Sequence, residues 1–193
     1  GYDAKIPALS ETLAADPSEF VGMVCLVFRA RPGAEDEEGV EGQADDEQHD
    51  ASMASNAYRM LNAWDSPPGL VDGSMDAKVL RSWLDRAMEL LAERERTEVG
   101  LQQFGQVLGH TPPDPDGTWP GVVVRDLLED VQLEHIETGL YLHVVNSRGI
   151  TSRGLEDGGG QEFQLSADYR AKAEALADTA PRTAALFRRV AAS

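Results

Sequence analysis

An all-α fold, an irregular bundle of seven to nine helices with a long acidic loop, is predicted by three features of the sequence. Large apolar residues recur at spacings of three and four through most of the 193 residues, which is the period of one helix face. Helix-start signals stand just before several of these runs. No run of consequence alternates apolar and polar residues in the way that marks a half-buried strand. With 41% hydrophobic and 26% charged residues, the chain reads as one helical domain spanning residues 1–193, long enough to bury a sizeable core.

The elements follow in order. Ile6, Leu9 and Leu13 predict a short amphipathic helix over residues 3–15. "DPSEF" then supplies a cap at Asp16, Pro17 at the first helical position and Glu19 as the third residue of a capping box. The helix it opens runs to about Arg31, and its apolar centre predicts burial among other helices. Residues 32–50 read as a flexible acidic loop, because a self-repelling stretch with few large apolar side chains cannot offset its ordering entropy. Met53, Ala57, Met60, Leu61 and Trp64 predict a helix from Ala51 to Trp64, ended by "DSPPG". "VDGSMD" reads as a turn in which Ser74 or Asp76 caps the next helix, residues 76–97, whose stripe is Leu80, Leu84, Ala87, Met88 and Leu91. Leu101, Phe104, Val107 and Leu108 continue the pattern. Further helices are predicted over Pro120–Val131 and over "QLEHIETGLYLHVVN", where Tyr141, Val144 and Val145 would also suit a strand. A Gly-rich loop, 146–160, leads to two closing helices, the last beginning at Pro181.

Charge and composition narrow the function. The formal charge is −17, and nine of the acids lie between residues 33 and 50, so the rest of the chain carries −8. Such a surface repels phosphate backbones, which argues against nucleic-acid binding although residues 140–193 are close to balanced. The one cysteine, Cys25, lies in the apolar run "FVGMVCLVF" and cannot form an internal disulfide, which points to the reducing cytoplasm. That run is about half of the ~20 residues a membrane helix needs, and no basic-then-apolar leader opens the chain. The sequence thus predicts neither a membrane nor a secreted protein. A start at Gly1 without an initiator methionine suggests a processed or excised piece, and Arg outnumbers Lys 14 to 3, a usage that fits a GC-rich bacterial genome.

Few stretches look chemical. In "HTPPDPDGTWPG", an EF-hand register with Gly117 at the sixth position places Asp114 and Asp116 correctly but puts Pro112 at the first ligand position and Val123 at the twelfth. Asp114–Gly117 instead matches a type I turn, with Thr118 capping a helix that starts at Pro120 and Trp119 folding onto its first turn near Val123. His135 and His143 are eight apart rather than the four that would place them on one zinc-binding face. No metal and no cofactor is therefore predicted. A nucleophile elbow is missing from the sequence, and apolar surroundings raise a thiol's pKa. The loop "NSRGITSRGLEDGGGQE" is the best candidate for contact: Arg148 and Arg153 offer carboxylate- or phosphate-matching forks, with Asn146 and Gly159 beside them ahead of a helix start. It lacks the Lys-Ser/Thr pair of a P-loop.

"PPDPDGTWP…VRDLLED", "NSRGITSRG…GGGQE…YR" and "PRTAALFRRVA" resemble the C-terminal helical region of large multidomain bacterial proteins of unassigned role, some of them near phage-defence loci. Ala180 departs from the pattern, standing where a tryptophan is expected before the proline. The resemblance implies an accessory or recognition domain and brings no catalytic residues with it. The expected function is a non-catalytic helical domain that contacts the rest of its parent polypeptide or another protein. The rival is an enzyme or anionic-ligand binder using Arg148 and Arg153.

Overall fold

A computed structural model describes residues 6–28, 43–147 and 160–193. Among these residues the fold is all-α: nine helices, one 3-10 turn and a two-residue hairpin. The chain divides into two compact units, Gly1–Gly69 with Ala77–Gly100, and Leu70–Asp76 with Leu101–Ser193.

The first unit is built from α1 (Ile6–Ala15), α2 (Pro17–Val27), α3 (Gln43–Ala63), α4 (Ala77–Glu93) and the opening of α5 (Thr97–Leu108). Asp16 caps α2 as the sequence predicts, accepting the Ser18 N–H at 2.8 Å with Pro17 in the first turn. The reciprocal half of a capping box does not form, because the Asp16 N–H is already donated to the Thr12 carbonyl at the end of α1. Helix α2 ends at Val27 rather than near Arg31, and the Phe28 carbonyl beyond it accepts the Arg96 Nε–H at 2.7 Å. Leu13, Phe20, Val24, Trp64, Leu80, Leu84 and Leu91 are buried. At the centre Phe20 lies 5.4 Å from both Trp64 and Trp83, whose rings are 5.8 Å apart. Both indole N–H groups are satisfied by backbone, Trp64 donating to the Ser66 carbonyl and Trp83 to that of Leu13. Buried indoles thereby contribute area without an orphaned donor.

Two boundaries differ from the sequence reading. Residues 43–50, read as the end of the acidic loop, are helical in α3. The remainder of that loop, residues 32–42, lies outside the described residues. Helix α4 stops at Glu93 instead of residue 97 because Glu95 takes a left-handed conformation, φ 55°, and the Arg96 N–H closes back onto the Leu91 carbonyl.

The second unit holds the hairpin β1 (Leu70–Val71) and β2 (Ser74–Met75), the rest of α5, α6 (Val122–Leu128), the 3-10 turn Val131–Leu133, α7 (Glu134–Ser147), α8 (Gly160–Ala175) and α9 (Pro181–Ala192). The hairpin corrects the reading of "VDGSMD" as a simple turn. Asp72 and Gly73 both have positive φ, 48° and 77°, the pair of conformations that a two-residue hairpin turn requires and that Asp-Gly readily supplies. Helix α7 settles the ambiguity at Tyr141, Val144 and Val145 in favour of helix.

Close approach fixes the crossing of α5 and α7. A Cβ on Gly105 would strike the Ile136 carbonyl, and one on Gly139 would strike that of Gln102. Glycine at both positions lets backbone touch backbone. Phe104, Leu108, Leu128, Ile136, Leu140, Leu186 and Phe187 fill the core. Helix α9 lacks a capping side chain of its own at Ala180. Glu129 supplies it from a distance, accepting the N–H groups of Arg182 and Thr183 and the Thr183 hydroxyl, each at 3.0 Å.

Candidate functional site

The segment from His110 to Val122 forms one side of a hollow in the second unit. Pro115 occupies the second position of a turn closed by the Gly117 N–H donating to the Asp114 carbonyl at 2.8 Å, and Gly117 has φ 85°. Asp116 accepts the Thr118 N–H at 2.8 Å, and this bond, first, holds its carboxyl below the ordinary carboxylate pKa. The carboxylate of Asp114 turns the other way. It accepts the Val122 N–H at 3.0 Å and pairs with Arg125 Nη2 at 3.0 Å, capping α6 from eight residues upstream. The expected cap at Thr118 and start at Pro120 are thus replaced: Gly121 is the boundary residue and brings no side chain. Trp119 also differs from expectation. Its ring lies 6.0 Å from Phe187 and its N–H donates to the Thr111 carbonyl at 3.0 Å, because the core offers both an aromatic neighbour and an acceptor.

Between this segment and the hairpin runs a groove of about 340 Å³. Met75, Pro112, Pro113, Pro115, Val122 and Val123 make its apolar wall. Its ionised pair is spent internally, since Arg125 also donates to the Pro120 carbonyl at 2.7 Å. Val122 is 48% exposed at its rim. The arrangement leaves a non-polar surface along the groove and holds its charges in place.

Two other polar clusters occur in this unit. Glu137 accepts from Arg182 at 3.2 Å and Arg189 at 2.9 Å, and the Arg189 guanidinium also stacks 4.6 Å from the Tyr141 ring centre. This network ties α7 to α9. His110 and His143 meet edge to face, with ring centres 4.6 Å apart and planes at 77°. Burial first, and then the His110 charge, lowers the His143 pKa. An edge-to-face contact aims one ring at the face of the other, so the two do not form a chelate. Among the described residues no group of three or more His, Cys, Asp or Glu is placed to hold a metal ion, and no helix is long and apolar enough to cross a membrane.

In the first unit α4 borders two more open hollows, one along its outer face and one against Ala14, Ala15 and Pro17. Their charges pair along the helix, Arg86 with Glu89 at 2.8 Å and Arg81 with Asp85 at 3.9 Å.

Of the residues singled out from sequence, Asn146 is exposed in the last turn of α7. Arg148, Arg153 and Gly159 lie outside the described residues. The sequence reading passed over Met75 and Val122 as site residues. The Asp-Gly pair was the available signal for the hairpin, whereas nothing local announces that it faces the proline segment. A comparison of the chain with protein-family models, curated proteins and solved structures finds no match.

Proposed function

We propose that this chain is a non-catalytic, cytoplasmic accessory domain of a larger bacterial protein, and that it works by contacting another protein region. The groove of the second unit carries the proposal. Its wall is mainly apolar, and the carboxylate in its lining, Asp114, is paired with Arg125 and committed to holding α6. A binding cleft for a small polar substrate instead needs convergent polar groups left for the ligand. Phe163, 76% exposed near the start of α8, adds a second apolar contact point on the same unit.

The test is a photo-crosslinking amino acid placed at Val122 in cells that express the protein, with the same group at Arg188 as a control. A discrete protein adduct from position 122, lost when Val123→Asp is introduced into the same chain, is the expected result. No adduct, or one equally strong from position 188, contradicts the proposal.

A further inference from the structure

We propose that Asp72 is a site of spontaneous backbone isomerisation, converting through a cyclic imide with Gly73 to isoaspartate, and that the fold directs this chemistry to Asp72 and away from Asp116. The inference goes beyond the function proposed above and does not depend on it. Two Asp-Gly pairs fall among the described residues, Asp72–Gly73 at the tip of the hairpin and Asp116–Gly117 in the proline segment. A third, Asp157–Gly158, lies outside them. The reaction needs the backbone nitrogen of the glycine to reach the side-chain carboxyl carbon of the aspartate. Glycine leaves that approach open, because it brings no Cβ to shield the nitrogen and lets the backbone turn freely.

At residues 116 and 117 both reactants are tied. The Gly117 N–H donates to the Asp114 carbonyl at 2.8 Å, and Asp116 Oδ1 accepts the Thr118 N–H at 2.8 Å. That second bond also favours the ionised carboxylate, whereas the carboxyl that gives up its hydroxyl must be protonated. At residues 72 and 73 the situation is the reverse. Neither the Asp72 carboxylate nor the Gly73 N–H has a hydrogen-bond or ionic partner among the described residues, and both residues are exposed. Opening is opposed by the pairs Leu70 with Met75 and Val71 with Ser74, and so short a hairpin holds its tip weakly.

In the first step the Gly73 nitrogen bonds to Cγ of Asp72. The Cγ–OH bond breaks, and the hydroxyl leaves as water with the amide proton. Water then adds at the ring's main-chain carbonyl carbon and cleaves its bond to nitrogen. The chain now runs through Cγ, and the former main-chain carboxyl becomes the side chain. A methylene carbon is thereby inserted into the turn. A two-residue turn demands particular dihedrals, so the insertion disturbs the pairing of β1 with β2. Gly73, Ser74 and Met75 line the groove, and its wall changes with them.

The test is a time course on the full chain, kept folded in mildly acidic buffer and, in parallel, unfolded in urea. Digestion with an endoprotease that cuts before aspartate but not before isoaspartate, followed by mass spectrometry, reads each site: loss of water marks the imide, and a missed cut marks isoaspartate. In the folded chain position 72 should convert faster than position 116 by about tenfold or more, because the bonds at Gly117 and Asp116 must break first. In urea the two rates should come together, since both sites are then Asp-Gly in an unfolded chain. Equal rates in the folded chain, a difference that persists in urea, or a position 72 that is silent when folded although it converts in urea overturns the proposal. Chains carrying isoaspartate at 72 should show altered amide signals for residues 70–76; an unaltered hairpin in that material overturns the effect on the groove.

Discussion

The two units reach stability by different routes. The first is centred on three large rings, Phe20, Trp64 and Trp83, within 6 Å of one another, and its cap at Asp16 is local in sequence. Two further polar ties, Trp83 to Leu13 and Arg96 to Phe28, join distant parts of that unit. The second also has an apolar core, and adds charged and backbone ties between residues far apart in the chain: Glu129 onto the start of α9, Arg182 and Arg189 onto Glu137, and Gly105 against Gly139. Apolar burial is non-directional and tolerates small shifts, whereas polar ties and backbone contacts specify one arrangement. The unit with the charged ties is also the one that carries the groove. Holding a hairpin edge and a proline segment at a fixed spacing calls for that kind of rigidity.

The largest effect that would sharpen this contrast is expected at Trp64. Trp64→Ala removes the centre of the ring cluster, and truncating a buried aromatic costs about 3–5 kcal/mol. Urea titration should show that loss, with residue-resolved hydrogen exchange placing the new opening in α2–α4. A loss below about 1 kcal/mol would show that the cluster does not govern the first unit.

A smaller loss is expected in the second unit. Glu129→Ala deletes the acceptor for two N–H groups and one hydroxyl, and losing a helix cap costs about 0.5–2 kcal/mol. The effect should appear as faster amide exchange at Arg182 and Thr183, with the first unit unchanged. Equal loosening of both units would break the comparison.

The smallest effect is a pH dependence. The folded-state pKa of His143 is lowered, by burial and then by His110, so the unfolded chain binds that proton more readily. Its stabilising effect is complete above the ordinary imidazole value of 6.5 and is lost as pH falls through the lower folded value. His143→Phe keeps a ring in the contact and removes the titration. The difference in urea midpoint between neutral and mildly acidic solution should shrink in the variant; an unchanged difference assigns the pH response elsewhere.

Much of the fold was legible because helices announce themselves locally. The Leu80–Leu84–Leu91 stripe and the Asp16-Pro17 start both survive in the structure. What stayed hidden depends on distant partners. Periodicity cannot show that Asp114 caps α6, that Glu129 caps α9, or that His110 meets His143. It also misled at residues 43–50, where polar composition resembles a loop although the backbone is helical. The groove was least legible, since it is made by the approach of two segments, each of which reads alone as ordinary turn chemistry. The arginine loop chosen from sequence lies outside the described residues apart from Asn146.

Hydrogen exchange of the whole chain, alone and bound to the partner captured at Val122, tests the central claim most directly. The account predicts slowed exchange at Leu70–Asp76 and across residues 112–124, with α2–α4 unaltered. Protection concentrated in α2–α4, and none in the hairpin, would contradict it.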